Sequence, residues 1–427
     1  MRRLSLKKAD LLPAILGAGV LSALLILALT ARALAGGYAI PYQSAKAVGL
    51  GNALTAGVED PSAVYINPGA LSEVEDTQIL ATLNYVNVVS SVTNSGRKSI
   101  NTEGDHFIPT FFASHHMPGT DLTFGIGLYT PFGLATSYGR TDFTRFAATR
   151  SELRLFYITP AMAWRLHPSL SVGLGLSFIH SSALFSRALL LGPGTEGKLK
   201  ITGEDNTYSA TAGLLFKPVE RMKLGLALRG GAQLNFDGAH VKLINAAGIA
   251  EKARSKGTQI PLPSVISVGL HYDIDPDWSV DFVHDFTHWS EFKHLKARFA
   301  PSLLGGALPG IFLRQNWKDT STFRFGTSYR INEAWTLRGG VVLDESPIPG
   351  QTLGPSIPDG DTLTLTSGLG WQWRGWSFDI GYAAIFSKSR RINNSVLEAN
   401  SASTLTPGRD KYAAFGNFVS VSVGYKF

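Results

Sequence analysis

The sequence predicts an all-β protein: a transmembrane antiparallel β-barrel of about 14 strands, with its lumen plugged by an N-terminal hatch. Three observations lead to this fold class. Apolar and polar residues alternate in many segments, short turns alternate with long loops, and the sequence ends on the aromatic residue of an alternating segment.

The last ten residues show the alternation most clearly. Successive side chains of a strand point to opposite faces, so this segment has one apolar and one polar face. The apolar face carries Val419, Val421, Val423, Tyr425 and Phe427, and the polar face carries Ser420, Ser422, Gly424 and Lys426. A soluble sheet also alternates, but an apolar face for lipid and an aromatic last residue favour the closing strand of an outer-membrane barrel.

Residues 1–35 have the features of a secretory signal peptide. Basic residues precede an apolar run from Leu11 to Leu29, and the small-x-small sequence Ala33-Leu34-Ala35 follows. We therefore expect export and cleavage after Ala35. The alternative is an uncleaved membrane anchor, because the run is long enough to span a bilayer.

Composition excludes several kinds of site. The sequence has no cysteine, which rules out a disulfide framework and a thiolate metal site. The formal net charge is +7, but residues 1–35 contain five basic residues and one acidic residue, so a chain cleaved after Ala35 carries +3. The basic balance therefore belongs largely to the signal peptide and does not indicate nucleic-acid binding.

Fourteen segments of the mature chain are predicted to be strands. They cover approximately residues 77–89, 105–117, 121–137, 151–166, 169–189, 199–216, 221–236, 262–274, 278–290, 320–331, 335–344, 361–374, 376–388 and 414–427. In residues 264–274, for example, Ile266, Val268, Leu270 and Tyr272 alternate with Ser267, Gly269, His271 and Asp273. Polar residues on the second face fit a wet lumen better than the dry core of a β-sandwich.

The connections between these segments carry independent information. Short turns near residues 118–120, 167–168, 218–220, 275–277, 332–334 and 374–375 alternate with longer loops such as 237–261, 291–319, 345–360 and 389–413. Short periplasmic turns and long extracellular loops are typical of outer-membrane barrels, and an even strand number leaves both ends in the periplasm. We therefore expect the protein in the outer membrane of a Gram-negative cell.

Residues 36–76 precede the first predicted strand and do not alternate. They are rich in Gly and Ala and contain the turn-forming sequence Asn67-Pro68-Gly69. One interpretation is a flexible periplasmic tail. We favour a compact hatch inside the barrel, in which small residues allow close backbone packing and the Asn-Pro element fixes a turn. The predicted domains are thus residues 1–35 (signal peptide), 36–76 (hatch) and 77–427 (barrel).

Motifs along the mature chain follow one another in a characteristic order. They are Gly36-Gly37-Tyr38, Gln43-Ser44-Ala45, Gly49-Leu50-Gly51-Asn52-Ala53, Glu59-Asp60-Pro61-Ser62-Ala63 and Asn67-Pro68-Gly69-Ala70-Leu71, then residues 131–136 with Tyr138, 289–292, 317–320, 335–340, 344–347, 358–361 and Phe427. Together they resemble the FadL-type (OmpP1/FadL/TodX-like) outer-membrane transporters of long-chain fatty acids and hydrocarbons. Gly69 departs from the family, which usually has Ala there; this small-for-small change should not remove the turn.

The resemblance implies passive, diffusion-driven uptake of hydrophobic compounds, fatty acids or hydrocarbons, with no cofactor. Ligand would be caught by outer loops, enter an apolar pocket and leave sideways through a gap beside a kinked third strand. The family counterpart of Phe427 is read by the barrel-assembly machinery. Other expected partners are outer-membrane lipid and lipopolysaccharide, and we expect a monomer that binds no nucleic acid.

The third predicted strand contains Pro131-Phe132-Gly133, the candidate lateral-gate kink. Pro cannot donate to a strand ladder and Gly weakens it, so a local break is expected. The alternative is that these residues simply end the strand.

Arg187 is the candidate contact for a ligand carboxylate. An arginine is well suited to meet a carboxylate in a low-dielectric pocket. Arg187 lies near the far end of the fifth predicted strand, at a spacing similar to that of a carboxylate-contacting Arg in the family. The alternative is an arginine at the extracellular rim that faces water or lipopolysaccharide, and an uncharged hydrocarbon would leave Arg187 without this task.

No motif indicates an enzyme, a catalytic residue or a metal site. His284 and His288 share a strand face, but no carboxylate accompanies them, so we interpret them as interfacial histidines. The alternative function is an outer-membrane porin or a surface adhesin or receptor. Steady ion conductance of the purified protein would favour an open porin, because a porin needs no hatch.

Overall fold

The computed structural model describes residues 36–245, 247–396 and 410–427. The predicted signal peptide, residues 1–35, lies outside the described residues. Fourteen antiparallel strands form a closed β-barrel, as the sequence predicts.

The strands are numbered in chain order. They are β1 (Thr77–Asn94), β2 (Arg97–Ile100), β3 (Asp105–His116), β4 (Leu122–Tyr129), β5 (Gly133–Ser137), β6 (Arg150–His167), β7 (Leu170–Gly192), β8 (Thr195–Val219), β9 (Met222–Arg229), β10 (Ala232–Asn235), β11 (His240–Ile244), β12 (Ala250–Lys256), β13 (Gln259–Leu262), β14 (Val265–Asp273), β15 (Trp278–Thr287), β16 (His294–Leu303), β17 (Leu308–Arg314), β18 (Thr320–Arg330), β19 (Trp335–Asp344), β20 (Thr362–Trp373), β21 (Trp376–Ser387), β22 (Arg390–Ile392) and β23 (Asp410–Lys426). The described helices are α1 (Ala45–Gly49), α2 (Ala63–Ile66) and 3₁₀ turns at Pro68–Glu73, Phe143–Phe146, Trp289–Glu291, Leu304–Gly306 and Gly350–Thr352.

The barrel wall is a ring in which strands that are neighbours along the chain pair with each other. In order, the wall strands are β1, β3, β4 continued by β5, β6, β7, β8, β9, β14, β15, β18, β19, β20, β21 and β23. β23 closes the ring against β1, in a register that pairs Thr82 with Ser422. The prediction that the last strand of the sequence closes the barrel is therefore confirmed.

One predicted strand, residues 221–236, is wrong in its second half. β9 ends at Arg229, and β10 pairs with β13 in a separate two-stranded sheet instead of continuing the wall. The two sections are joined by Gly230-Gly231. At this point the end of β13 approaches so closely that a Cβ on Gly231 would lie 2.7 Å from the carbonyl oxygen of Leu262.

The alternation decides which side chains face the lumen. Ser420 and Ser422 of β23 are buried, whereas Val421 between them is 49% exposed on the outside. In β14, Ser267 is buried and Val268 is 52% exposed. The wall therefore turns apolar side chains to the bilayer and small or polar ones inward, the arrangement expected of an outer-membrane barrel.

Several wall strands are far longer than a bilayer requires, among them three that are consecutive in the chain. β6, β7 and β8 have 18, 23 and 25 residues, whereas about 9–11 residues cross a membrane. On the side of the long loops, β11 pairs with β8, and β12 pairs with both β11 and β16. The predicted loops 237–261 and 291–319 thus contain hairpins, β11–β12 and β16–β17. With the outer parts of β6–β8 these hairpins form a sheet that projects from the membrane, called the raised wall below.

Residues 36–74, called the N-terminal segment below, lie inside the ring. Nearly every residue from Tyr42 to Val74 is buried. Helix α1 packs against β19, β20, β21 and β23, while the turn Pro68–Glu73 packs against β6, β7 and β8 on the other side. Neither α1 nor any other helix in the described ranges is long and apolar enough to cross a membrane.

Candidate functional site

The turn predicted at Asn67-Pro68-Gly69 fixes the N-terminal segment to the wall. Asn67 is fully buried. Its Nδ2 donates to the carbonyl oxygens of Thr55 (2.7 Å) and Leu214 in β8 (3.1 Å), and its Oδ1 accepts from the Gly69 amide (3.0 Å). One amide side chain therefore holds its own turn, a second turn of the segment and the barrel wall.

Gly69 is required here by space. A Cβ at this position would lie 2.8 Å from the carbonyl carbon of Gly213 in β8. Because both partners are backbone atoms, neither can swing away as a side chain would.

Inward-facing glycines let the N-terminal segment approach the backbone of the wall equally closely around much of the ring. At eight of them a Cβ would lie 3.0 Å or less from a backbone atom of the N-terminal segment: Gly173, Gly213, Gly225, Gly269, Gly326, Gly340, Gly368 and Gly381. They belong to β7, β8, β9, β14, β18, β19, β20 and β21. The segment therefore packs backbone against backbone.

Ion pairs join the N-terminal segment to the barrel wall at the end where the short turns lie. The Glu73 carboxylate lies 2.8 Å from Lys217 Nζ and 3.6 Å from Lys223 Nζ. Lys223 Nζ also lies 2.5 Å from Glu59 Oε1. Acidic groups of the segment thus meet basic groups of β8 and β9.

The third wall strand is interrupted at the residues that the sequence indicates. β4 ends at Tyr129, β5 begins at Gly133, and residues 130–132 lie between them. β4 pairs with β3 and β6, whereas among the described strands β5 pairs with β6 alone. Residues 105–110 of β3 pair with β1 but have no described strand on their other side. The wall therefore has a gap between β3 and β5.

The start of the N-terminal segment covers this gap from the lumen. The Gly133 amide donates to the Tyr38 carbonyl (2.9 Å), and the Ile40 amide donates to the Pro131 carbonyl (2.7 Å). Ala39 forms an isolated antiparallel bridge with Phe132. The break in β4–β5 is thus filled by a short piece of extended chain that belongs to the segment.

Gln43 closes the lower edge of the gap. Its Nε2 donates to the Thr130 carbonyl (3.0 Å), and its Oε1 accepts from the Thr130 amide (3.3 Å). Its own carbonyl oxygen accepts from Thr110 Oγ1 on β3 (2.7 Å). The side-chain amide thus replaces the backbone partner that β3 does not provide.

Beside the gap, under the raised wall, lies a mostly apolar cavity, called the outer cavity. Its lining includes Tyr38, Leu134, Leu153, Phe185, Leu199, Ile201, Ile260, Phe292, Leu295, Ala297, Ile311, Leu313 and Ile357. Four of these residues come from the β16–β17 hairpin, which the predicted strands did not include: Leu295, Ala297, Ile311 and Leu313. Leu134 follows Gly133 directly, which places the cavity next to the gap.

Arg187 of β7 lies in the lining of the outer cavity. It also borders an adjoining cavity of about 400 Å³, lined in part by the exposed Phe312 and Arg314. The Arg187 Nε is buried without a hydrogen-bond partner, and no described residue forms an ion pair with this side chain. An arginine so placed has a hydrogen-bond donor available where the two cavities adjoin.

An aromatic cluster separates the outer cavity from a second cavity deeper in the lumen. Tyr38 contacts Trp289 (4.7 Å between ring centroids), Trp317 (5.6 Å) and Phe132 (6.0 Å). Its hydroxyl donates to the Pro261 carbonyl (2.6 Å), and burial raises the pKa of Tyr38. The partition between the cavities is therefore built on a residue of the N-terminal segment.

The deeper cavity, called the inner cavity, is more polar than the outer cavity. It is lined in part by Tyr65, Tyr129, Tyr157, Arg229, Asp285, Arg324 and Asp344. Arg324 Nε donates to Asp285 Oδ2 (2.8 Å), and Arg229 donates to the Tyr65 carbonyl (3.1 Å). These charges are satisfied by protein groups, in contrast to Arg187.

His284 and His288 do not form a joint site. His284 Nε2 lies 3.1 Å from Ser321 Oγ and the ring stacks on Phe323, while His288 Nδ1 lies 3.2 Å from Ser264 Oγ. Within the described ranges, no group of three His, Asp or Glu side chains is arranged to hold a metal ion.

The comparisons with known proteins agree on one family. A family model described as outer membrane protein transport protein (OMPP1/FadL/TodX) matches residues 26–427. The long-chain fatty acid transport protein of Escherichia coli K12 is 24% identical over 400 residues, which covers 83% of this chain and 89% of that protein. The 47 kDa outer membrane protein of Pasteurella multocida is 24% identical over 411 residues, with 89% and 92% covered.

Solved structures show the same fold. A Pseudomonas aeruginosa FadL homologue superposes with a TM-score of 0.80 at 18% identity, covering 92% of this chain and 100% of that one. The Pseudomonas putida toluene transporter TodX superposes with a TM-score of 0.71 at 18% identity, covering 92% and 99%.

Proposed function

Because the chain belongs to the OMPP1/FadL/TodX family of outer-membrane transport proteins, we propose that it takes up hydrophobic compounds passively across the outer membrane. The single observation that carries this proposal is the apolar outer cavity beside a gap in the barrel wall. A hydrophobic compound gains free energy on leaving water for such a cavity and has a direct path from it into the bilayer.

The substrate that we propose is a long-chain fatty acid, in line with the name of the Escherichia coli relative, long-chain fatty acid transport protein. Arg187 supports this choice over an uncharged hydrocarbon. Burial of a cation without a partner is costly, and a bound carboxylate would offset that cost through charge-assisted hydrogen bonds. The acyl chain would then lie along the apolar lining, with Leu199 and Ile201 close to Arg187 in the sheet.

We propose that the N-terminal segment acts as the hatch and that its first residues control exit. Tyr38 helps to line the outer cavity, and its carbonyl oxygen accepts from the Gly133 amide at the gap. Movement of residues 38–40 would therefore open the cavity floor and the gap together. Gln43 supports the closed state, because its side chain binds Thr130 while its main-chain carbonyl oxygen accepts from Thr110 of β3.

The lateral exit is tested with Gly133→Arg. A Cβ at Gly133 would lie 2.9 Å from Ile40 Cδ1, so a long cationic side chain there should occupy the exit. We expect uptake of radiolabelled oleate by cells to be abolished while barrel assembly, seen as heat-modifiable migration on gels, is intact. Gly192→Arg is the matched control, because a Cβ at Gly192 meets no atom within 4 Å. Wild-type uptake by the Gly133→Arg protein would contradict the proposed exit.

The carboxylate contact is tested with Arg187→Met, which replaces the apolar stem of the side chain by one of similar length and removes the guanidinium. Hydrogen bonds to charged groups contribute about 1.5–3 kcal/mol, so oleate affinity should fall by roughly 10- to 150-fold. The affinity for a neutral alkane of the same length should not fall. Equal losses for both ligands would mean that Arg187 shapes the cavity rather than binding the carboxylate.

A further inference from the structure

The outer face of the raised wall carries a row of basic side chains. Lys242 of β11 lies directly opposite Lys200 of β8 on one side and Lys252 of β12 on the other. Across β7 the row continues to Arg150, since Ser186 pairs with both Arg150 and Lys200. Like charges directly opposite each other destabilise a sheet unless a counter-charge is supplied.

The described part of the chain does not supply that counter-charge to the three lysines. Other cations of the raised wall are paired: Arg150 lies 3.0 Å from the Glu152 carboxylate, and Arg145 lies 2.7 Å from that of Glu196. Among the described residues no carboxylate lies within 4.0 Å of Lys200, Lys242 or Lys252. Further cations without such a partner share this face: Lys198, Arg254, Lys256 and Arg298.

The position of the row indicates what it faces. Tyr208 on the same outward face of β8 is 73% exposed and stacks edge-on with Phe178, which marks the upper edge of the lipid-facing surface. Lys200 lies eight residues farther along the strand. At about 3.3 Å per residue and a strand tilt of about 40°, the row lies roughly 20 Å above that edge. This is the zone of the sugar headgroups of the outer leaflet.

A polar groove lies next to the row. Its volume is about 510 Å³, and its lining includes Ser182, Thr202, Glu204, His240 and Arg254. Hydroxyl, carboxylate and imidazole groups in a groove of this kind suit the hydroxyls of a sugar. The basic row beside it suits phosphate and carboxylate substituents.

We propose that the row Lys200–Lys242–Lys252, with the adjoining groove, binds the phosphorylated sugar of an outer-leaflet glycolipid, lipopolysaccharide. The surface is distinct from the cargo path, because the inward faces of the same strands line the outer cavity. Leu199 and Ile201 point inward, and Lys200 between them points outward. The glycolipid would neutralise the row and hold the raised wall upright beside the membrane.

The test replaces the three lysines together by glutamine in the full-length mature protein. Binding of purified lipopolysaccharide to the detergent-solubilised protein is measured by microscale thermophoresis. A basic residue near an anionic lipid surface contributes about 1 kcal/mol, a factor of about five, so the triple variant should bind about a hundredfold more weakly. The matched control, Arg221→Gln with Arg330→Gln and Arg374→Gln, removes three exposed cations at the short-turn end and should bind as wild type.

Two further probes identify the recognised chemistry. Wild-type protein should bind dephosphorylated lipopolysaccharide as weakly as the triple variant binds the intact glycolipid. It should bind phosphatidylglycerol vesicles less tightly than lipopolysaccharide. Oleate affinity of the triple variant should be unchanged, which shows that the barrel is folded. The proposal is overturned if the lysine and control triples lose affinity equally, if the lysine triple binds as wild type, or if phosphatidylglycerol binds as well as lipopolysaccharide.

Discussion

Asn67→Ala should open the barrel to ions without unfolding it. The substitution removes three hydrogen bonds, to Thr55, Leu214 and Gly69. A buried hydrogen bond contributes about 1 kcal/mol net. The bond to Leu214 is broken when the hatch leaves the wall, and the bonds to Thr55 and Gly69 are broken when the displaced hatch unfolds. The seated hatch should therefore lose about 3 kcal/mol relative to a hatch that is displaced and unfolded. A loss of this size raises the ratio of displaced to seated hatch by roughly 150-fold, because about 1.4 kcal/mol corresponds to a factor of ten. The wall keeps its ladder bonds, since the lost donors belong to a side chain of the segment.

Single-channel recording in planar bilayers measures this ratio directly. The wild-type barrel, filled by the N-terminal segment, should show no large steady conductance and only rare openings. The Asn67→Ala channel should open far more often, with each opening of the size expected from an unplugged barrel. Displacement should also expose the segment to added protease.

Asn84→Ala provides the matched control. Asn84 is equally buried, but its bonds, to Ile108 and Ser420, lie within the wall. It should therefore leave the open fraction unchanged. A closed Asn67→Ala channel, like that of the wild type, would contradict this prediction. So would an Asn84→Ala channel that opens as often as the Asn67→Ala channel. Large steady conductance of the wild type would favour the porin alternative instead.

Three other substitutions test the closures of the barrel. Gly213→Val places a branched side chain where Asn67 and the Gly69 amide lie; overpacking of about 1–3 kcal/mol should displace the hatch and make it protease-sensitive, unlike Gly192→Val. Gln43→Ala removes both side-chain bonds to Thr130 and should speed release of preloaded oleate in stopped-flow, and an unchanged rate would argue against this closure. Burial raises the pKa of Asp359, in loop 345–361, to about 7. The folded loop therefore favours the protonated carboxyl group, and the stability of the folded loop falls as pH rises from about 4 through 7. Hydrogen exchange of this loop, corrected for intrinsic rates, should be faster at pH 8 than at pH 5, and Asp359→Asn should remove the difference.

The wall was predictable because its strands obey one simple rule. A membrane strand has lipid on one side and a lumen on the other, so a period of two persists throughout each strand. The break at residues 130–132 was visible for a similar reason, since Pro131 cannot take part in the ladder on both sides. Both features depend on local chemistry that single residues reveal.

The raised wall was missed although the same signal was present. In β11, buried Val241 and Leu243 alternate with outward-facing His240 and Lys242, and in β16 Leu295, Ala297 and Phe299 are the buried set. These strands are short and rich in charge, because both faces of the sheet lie above the membrane. Their outer face therefore lacks the lipid-facing apolar residues by which the other strands were recognised.

The closure of the gap depends on pairings that no local pattern contains. Gln43 lies 87 residues from Thr130 along the chain, yet its amide takes the place of a strand neighbour. Any glutamine in a Gly- and Ala-rich segment has the same sequence signature. Only the seating of the N-terminal segment brings this one to the edge of β4.

The inward-facing glycines show how that seating is specified. In a strand, Gly makes fewer packing contacts than a larger residue, and ordering its backbone costs more conformational entropy. Eight such positions that face one segment therefore need a compensating gain in free energy. The gain is close approach: Gly368 and Gly49 meet so tightly that a Cβ on either would lie within 3.0 Å of the other's Cα. Each glycine alone looks like an ordinary small lumen residue, so the sequence does not reveal its role. Their common property, contact with residues 45–69, exists only once the ring is closed. The wall and the hatch therefore specify each other, and a change at either surface should be felt first as a change in gating rather than in folding.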